Sequence, residues 1–284
     1  MFNFSDMNRL ILLCYLLLLS SVSYSQEDEE SNILKYTPSV LLEKGRWEFV
    51  SFYNLYTQNS VRDANGDEAD IAERQTFLNA MYQFTIGTSE NNRFNVGVEI
   101  QANRSLYDAD RTANPFKVLL FDEEEFSRTV LSAIGPRVRF VPIERLGNFS
   151  IQSTFLIPVA NDLETPRFTA HDRYTWFTQI FYDHKLSEKW RLFLEADVLY
   201  RFKRTNEQVD FVRFPLSAFL SFFPSSSDED YGLSEYFVQL GIGARYHWSR
   251  RLGIEVSYGD FIASKGVFGA GAGYSLNLGF RYIR

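Results

Sequence analysis

The segment Tyr236–Trp248 reads YFVQLGIGARYHW, and a bulky or apolar residue stands at every second position of it. A repeat of two residues is the period of a β-strand, because successive side chains of a strand point to opposite faces. The same alternation runs through Phe94–Asn103, Trp190–Lys203 and Tyr274–Tyr282. The sequence therefore predicts an all-β protein whose strands have one apolar and one polar face.

The length of these runs and the position of their aromatic residues indicate a membrane. Strands of soluble domains usually have about 5–6 residues, whereas tilted strands that cross a bilayer need about 9–11. These runs reach about that length or more, and rings stand near both ends of the apolar face, as Tyr236 and Trp248 do. Aromatic residues at both interfaces form the girdles of transmembrane barrels. We expect the apolar face to contact lipid and the polar face to line a lumen.

Composition excludes several other classes of protein. The 284 residues include 27 Phe, 16 Tyr and 4 Trp, but the mean hydropathy is only −0.22. No apolar run after residue 25 reaches the ~18 residues of a spanning helix. Bulky apolar residues are too frequent for a disordered chain. A net charge of −7 argues against nucleic acid as a partner, and we expect none.

The N-terminus has the organisation of a secretory signal. Arg9 precedes the short apolar run Leu10–Leu19, and the small residues Ser23 and Ser25 follow. We predict a signal peptide over residues 1–25 that is cleaved before Gln26. An acidic periplasmic lead-in over 26–44 and a barrel over 45–284 complete the predicted organisation.

The only cysteine, Cys14, lies inside the predicted signal. Leu13 precedes it, where a lipoprotein signal has a small residue, so we expect no lipid anchor. The mature chain would then have no disulfide, although it would be exported. Closing a sheet into a barrel offers another source of stability, because no strand edge is left unpaired.

Eleven runs are candidate strands, whereas single-chain bacterial barrels have an even number. We predict an antiparallel up-and-down barrel of about twelve strands, with ten as the alternative. Between residues 204 and 233 the assignment of inward and outward side chains cannot be continued from one strand to the next, which indicates a missing or surplus strand there. Residues 33–42 or 115–121 could also hold a further strand. The candidates are 46–57, 75–87, 93–107, 128–141, 148–159, 173–185, 189–203, 208–223, 234–248, 251–261 and 268–283.

The connections alternate between short polar turns and longer stretches. We expect the short turns on the periplasmic side and the longer connections outside the cell. The longer stretches are 58–73, 108–126, 160–172 and 224–233.

Together, the signal, the alternating strands and the closing segment 273–284 resemble Gram-negative outer-membrane β-barrel proteins, and more loosely their small transporter-like members. The closing segment looks like the C-terminal signal that the barrel-assembly machinery reads. It departs from the usual pattern because Ile283 and Arg284 follow the final aromatic residue, Tyr282. The resemblance implies a location in the cell outer membrane, with contacts to its lipid, to lipopolysaccharide and to that machinery.

The predicted lumen carries charges of both signs. Charge rows that face one another could orient a small polar solute in a passive or gated channel. The same charges could instead form ion pairs that fill a non-conducting structural or docking barrel with acidic extracellular loops, and this alternative stays open. Every second residue of an alternating run points to the same face, and this parity predicts the inward charged residues. They are Glu99, Arg137, Arg139, Glu195, Asp197, Arg201, Arg245, Glu255 and Arg281.

One loop has oxygen-bearing residues at a spacing of two, as calcium loops do. Within 63–70 these include Asp63, Asn65 and Asp67, but Gly66 falls at the fourth position rather than the sixth. Asn-Gly is also a common tight turn. We favour a solvated turn and leave divalent-ion binding as the alternative.

The sequence gives little sign of catalysis. A lipid-modifying enzyme, the third possibility, would need a serine bonded to an oriented histidine. The three histidines are His171, His184 and His247, and none has a recognisable spacing to Ser153 or Ser217, the serines left by exclusion. There is no Cys–His cluster and no phosphate-binding glycine loop followed by a helix. We expect no enzyme, no cofactor and no metal.

Overall fold

The computed structural model describes residues 41–62, 67–121, 126–185, 191–203, 211–213, 216–217, 220–227, 230–248, 251–265 and 273–284. The predicted signal peptide, 1–25, and residues 26–40 of the predicted lead-in lie outside these ranges. In the described part of the chain, no helix combines the length and apolar character needed to cross a membrane.

Almost all the regular structure in these ranges is β-strand. One short 3-10 helix, Pro115–Leu120, lies between the third and fourth strands. The strand segments are β1 Trp47–Arg62, β2 Glu68–Gly87, β3 Phe94–Asp108, β4 Ser127–Phe140, β5 Phe149–Pro158, β6 Thr175–Lys185, β7 Arg191–Arg201, β8 Phe211–Arg213, β9 Leu216–Ser217, β10 Leu220–Ser227, β11 Asp230–His247, β12 Leu252–Lys265 and β13 Tyr274–Ile283.

Apart from β8 and β9, which do not pair with each other, each strand pairs antiparallel with its neighbours along the chain, and the first strand pairs with the last. The seam between them runs from Glu48 opposite Ile283 to Thr57 opposite Tyr274. The short segments β8 and β9 both lie between β7 and β10, so they occupy a single position in the sheet. The described pairings therefore form a continuous ring with twelve strand positions, which confirms the predicted up-and-down barrel.

The ring also explains why the in–out order failed between residues 204 and 233. The predicted strand 208–223 is wrong, because this stretch contains the interrupted position of β8 and β9 and the start of β10. The missing strand is therefore here. It is not at 115–121, where the 3-10 helix lies, and residues 33–40 are outside the described part of the chain.

The two faces of the sheet reverse the pattern of a water-soluble protein. Polar side chains are buried on the inner face; only 1% of Glu48 is exposed. Large apolar side chains are exposed on the outer face, and 52% of Trp176 is accessible. Water would disfavour such an outer surface, whereas lipid favours it. The energetically consistent surroundings for this outer surface are therefore a bilayer.

The two ends of the barrel differ. The short-turn end carries the turns at 88–93 and 141–148, the start of β1 and the end of β13. The long-loop end carries residues 109–126 and 159–174. Two predicted long connections are wrong in part, since 60–62 pairs with 68–70 and 225–227 with 230–235 as strand extensions. Polar composition concealed them, because strands that leave the bilayer need no apolar face.

The 3-10 helix at 115–120, hereafter the rim helix, packs on the outside of the barrel. Asn114 caps it by accepting a hydrogen bond from the Phe116 amide at 3.0 Å. Val118 is fully buried against Leu55 and Leu106, two outward residues of β1 and β3. This apolar cluster therefore lies at the rim, on the outer face of the barrel.

Candidate functional site in the barrel lumen

An ionic cluster lies inside the short-turn end. Glu48 is the second residue of β1, and its carboxylate accepts from Arg281 of β13, the neighbouring strand. Arg139 of β4 approaches the same carboxylate, with 3.8 Å between Nη2 and Oε1. Two guanidinium groups from different strands therefore meet one carboxylate that water scarcely reaches.

Gln152 on β5 connects this cluster to the rest of the lumen. Its Oε1 atom accepts from Arg139 Nε at 3.0 Å and Nη2 at 2.8 Å, and also from Arg137. Its amide nitrogen donates to Gln179 Oε1 at 2.6 Å, and Gln179 donates to Glu195 Oε1 at 2.7 Å. The chain of contacts therefore continues through inward positions of β4, β5, β6 and β7.

A second set of contacts joins asparagines at directly paired positions. Asn54 donates to Asn277 Oδ1 at 2.6 Å, and Asn79 donates to Asn54 Oδ1 at 3.1 Å. Asn103 donates to Asn79, and Ser132 donates to Asn103. Each link crosses to the next strand, so this amide ladder extends from β13 to β4. Alternation alone placed these residues inward, but their ladder depends on the register between strands.

The long-loop end of the lumen is aromatic. Phe77 stacks on Tyr56, with ring centroids 6.1 Å apart, and meets Tyr107 edge-on at 5.8 Å. Loop 159–174 folds towards these rings, because Tyr107 donates its hydroxyl hydrogen to the Phe168 carbonyl at 2.6 Å. Thr169 also bonds Ser105, an inward residue of β3, at 2.8 Å. The loop therefore narrows this mouth.

A polar trio fixes the same loop. Glu164 Oε1 lies 3.0 Å from His171 Nδ1, and Arg173 binds both carboxylate oxygens, at 3.0 and 2.9 Å. Burial raises the pKa of Glu164, but the bonds from His171 and Arg173 outweigh it and bring the pKa to about 2. Burial and nearby Arg201 lower the pKa of His171 to about 4, against the opposing effect of Glu164. The carboxylate is therefore charged and the imidazole neutral at pH 7.

By strand register, all nine predicted charged residues fall on the face that carries Glu48. The structure brings Arg139 and Arg281 to Glu48, and Arg137 to Gln152. The other six lie elsewhere on that face. Glu99 accepts from Gln83 and Gln101; Glu195 and Asp197 lie beside Gln179; Arg245 is opposite Glu255; and Arg201 is opposite Thr175.

Sequence reasoning missed the residues at the centre of the network. Glu48 lies between Trp47 and Phe49, and Gln152 between Ile151 and Ser153, each within an alternating run like many inward residues. Parity could have placed both in the lumen. Nothing local marks either as a centre of contacts, because their partners come from other strands.

The remaining candidates are dispersed. Ser153 is on the outer face, where it accepts from Trp176 Nε1 at 2.8 Å and shares a hydrogen bond with Thr178. Ser217 lies at an inward register position, while the side chains of His184 and His247 are not described. Of the proposed calcium loop, residues 63–66 lie outside the described ranges. Among described residues, no three metal-binding side chains are grouped.

The chain is similar to known proteins in its fold. No protein-family model matches the chain, and no curated protein does. Among solved structures, the COG4313 outer membrane channel from Pseudomonas putida F1 matches with a TM-score of 0.57 at 12% identity. The match covers 91% of this chain and 100% of that one. The chain has the fold of an outer-membrane β-barrel.

A second solved barrel supports the same conclusion. The β domain of the Bordetella autotransporter BrkA matches with a TM-score of 0.50 at 13% identity, covering 84% of this chain and 99% of that domain. The resemblance to outer-membrane barrels predicted from the sequence is thereby confirmed. At these identities the common property is the fold.

Proposed function

We propose that the protein is an outer-membrane channel for small polar solutes. The observation that carries this proposal is the closed ring with a polar inner face, where Glu48, Arg137 and Arg139 are buried together. Groups of both signs in a pore can replace part of the hydration of a polar solute. The solved structure from Pseudomonas putida F1, itself named a channel, supports a transport role for this architecture. The proposed activity is transport without catalysis.

The contacts inside the barrel favour a gated path. Gln152 bonds Arg139 on one side and Gln179 on the other, so it bridges three neighbouring strands. Only 2% of Gln152 is exposed. We propose that a solute passing this level displaces these side chains. We therefore assign the gate to the contacts around Gln152.

The proposed route to the membrane follows the sequence. The predicted signal over 1–25 directs export, and the closing segment 273–284 presents the final strand to the barrel-assembly machinery. The apolar outer face then contacts lipid, with lipopolysaccharide around the long-loop end. The pairing of β13 with β1 supports this role for the closing segment, because the last strand completes the ring.

Planar-bilayer recording tests the channel. We expect wild-type protein to give discrete conductance steps, and Gln152→Ala to increase the open fraction because it removes contacts to both neighbours. Thr178→Ala is the control, since Thr178 lies on the outer face beside Gln179. If correctly folded wild type and Gln152→Ala never conduct, the channel is refuted and the non-conducting structural barrel takes its place.

A further inference from the structure

Two buried arginines share one neutral partner in the lumen. Arg137 and Arg139 are 3% and 4% exposed, and both donate to Gln152 Oε1. They are two residues apart on β4, so their side chains leave the same face of the same strand. An amide oxygen carries no net charge, and two cations directed at it repel each other.

Several of their donors have no protein acceptor. Arg137 Nε and Nη1, together with Arg139 Nη1, are buried and meet no hydrogen-bond partner among the described residues. Buried polar groups are nearly always paired, and an unpaired charged donor is especially costly. Guanidinium groups present their donors in a planar fork that fits two oxygens of one anion. The unmet donors therefore point to a ligand with negatively charged oxygens.

The local charge balance favours an anion as well. Three guanidinium groups, Arg137, Arg139 and Arg281, lie near two carboxylates, Glu48 and Glu99. Arg281 and Arg139 engage Glu48, while both oxygens of Glu99 accept from the amides of Gln83 and Gln101. Among these five described groups one positive charge is left over, and it belongs to the side that carries the unmet donors.

We propose that Arg137 and Arg139 form a binding site for a small oxyanion, either a carboxylate or a phosphate, in the short-turn half of the lumen. This inference rests on the proposed channel function for its biological meaning, since it makes the preferred solutes anionic. The binding itself depends only on the folded barrel. The anion would lie between the two guanidinium groups, with Gln152 holding both in place.

Binding can be measured on the full barrel in detergent at constant ionic strength and constant chloride. Inorganic phosphate and acetate are titrated separately while the thermal unfolding midpoint is followed. We expect at least one of them to raise the midpoint of wild type in a saturable way. Whether the midpoint rises with phosphate alone, with acetate alone or with both then identifies the oxyanion that the site binds. No saturable rise with either anion would overturn the proposal.

Substitutions locate the site. Arg137→Gln and Arg139→Gln should each weaken the apparent affinity about tenfold or more, because a charge-assisted pair of hydrogen bonds is lost. Arg137→Lys keeps the charge without the fork, should weaken binding less, and serves where Arg137→Gln does not fold. Arg104→Gln is the matched control, since Arg104 is a buried arginine of the outer face, next to Phe121. Equal loss in the control would contradict the assignment.

Conductance separates this inference from the proposed function. A barrel that binds the anion but never conducts refutes the channel and leaves the binding site in place. A barrel that conducts but shows no binding, or loses none on Arg137 or Arg139 substitution, refutes the site and leaves the channel.

Discussion

At the scale of single residues, the lumen depends on charges that face one another across strands. Glu48 is the clearest case, because its carboxylate is almost inaccessible to water and meets guanidinium groups from β13 and β4. Such a pair contributes little relative to an apolar pair, but removing one partner leaves the other charge buried and uncompensated. Glu48 should therefore be more sensitive to substitution than an acidic residue on the surface.

Glu48→Ala should reduce the free energy of unfolding by about 3 kcal/mol or more, because Arg281 and Arg139 lose their carboxylate. Urea titration of the barrel in detergent measures the change. Glu90→Ala is the control, because its ion pair with Lys44 is on the exposed turn and should contribute less than about 1 kcal/mol. Similar effects for the two variants would show that the lumen cluster is well hydrated.

His171 should make stability depend on pH between about 4 and 6.5. Its pKa in the folded barrel is about 4, below the ordinary 6.5, so the unfolded chain binds the proton more tightly. The stabilisation is complete above pH 6.5 and is lost as the pH falls towards 4. Glu164 affects stability in a different pH range. Because its pKa is lowered from 4.5 to about 2, its stabilisation is lost only as the pH falls below about 4.5.

Unfolding free energies measured from pH 4 to 7.5 test this prediction. Wild type should become more stable with rising pH, and His171→Gln should flatten part of the slope because glutamine does not titrate. His184→Gln serves as the comparison, because it removes a histidine on β6 outside loop 159–174. The effect should be small, since 38% of the His171 side chain is exposed in the mouth of the lumen. An unchanged slope in His171→Gln would disprove the role of His171.

At the scale of elements, the strands follow local alternation, whereas the rim helix depends on what lies beside it. Pro115 and the Asn114 cap favour a helical turn, but the apolar run that follows also suits a strand. Packing selects the helical turn over the strand, because Val118 is removed from water only when the turn lies across Leu55 and Leu106. The sequence of 115–121 alone therefore permits a strand as well as a helical turn.

Val118→Asp should detach the rim helix, because a carboxylate cannot be buried against Leu55 and Leu106 without a partner. We expect faster trypsin cleavage at Lys117 in the folded barrel, followed by mass spectrometry of the fragments. Leu119→Asp is the matched control: Leu119 is the next residue but 47% exposed, so cleavage should stay close to the wild-type rate. Equal protection of Lys117 in Val118→Asp and wild type would contradict this packing.

At the scale of the whole molecule, stability depends on closing the ring between β1 and β13, whose partners are more than 200 residues apart in sequence. No cysteine follows Cys14, so in protein expressed from Gln26 an introduced pair of cysteines has no competing thiol. The pairing puts Ser51 directly opposite Phe280, and Tyr53 opposite Leu278. Directly paired Cα atoms lie about 4.5–5.5 Å apart and diagonal ones about 7–8 Å, beyond the usual reach of a disulfide.

The double variant Ser51→Cys/Phe280→Cys should therefore form a disulfide on oxidation, seen as a gel shift that reducing agent reverses. Ser51→Cys/Leu278→Cys has the same outward face and the same strands but is diagonal, and should form it far more slowly. If the diagonal pair oxidises as fast as the direct pair, the β1–β13 register described for this seam is wrong.

The sequence by itself determined the strand period, the polarity of the two faces and the class of up-and-down barrel, because alternation is a local property of each strand. It also put nine charged residues on one face by parity. Only the tertiary structure decided that the ring has twelve strand positions, with β8 and β9 sharing one of them. It also decided that the rim helix lies on the outer wall, that Glu48 meets Arg281 and that Gln152 meets Gln179. Those contacts join distant parts of the chain, and their partners are set by strand register and ring closure, which no local pattern encodes.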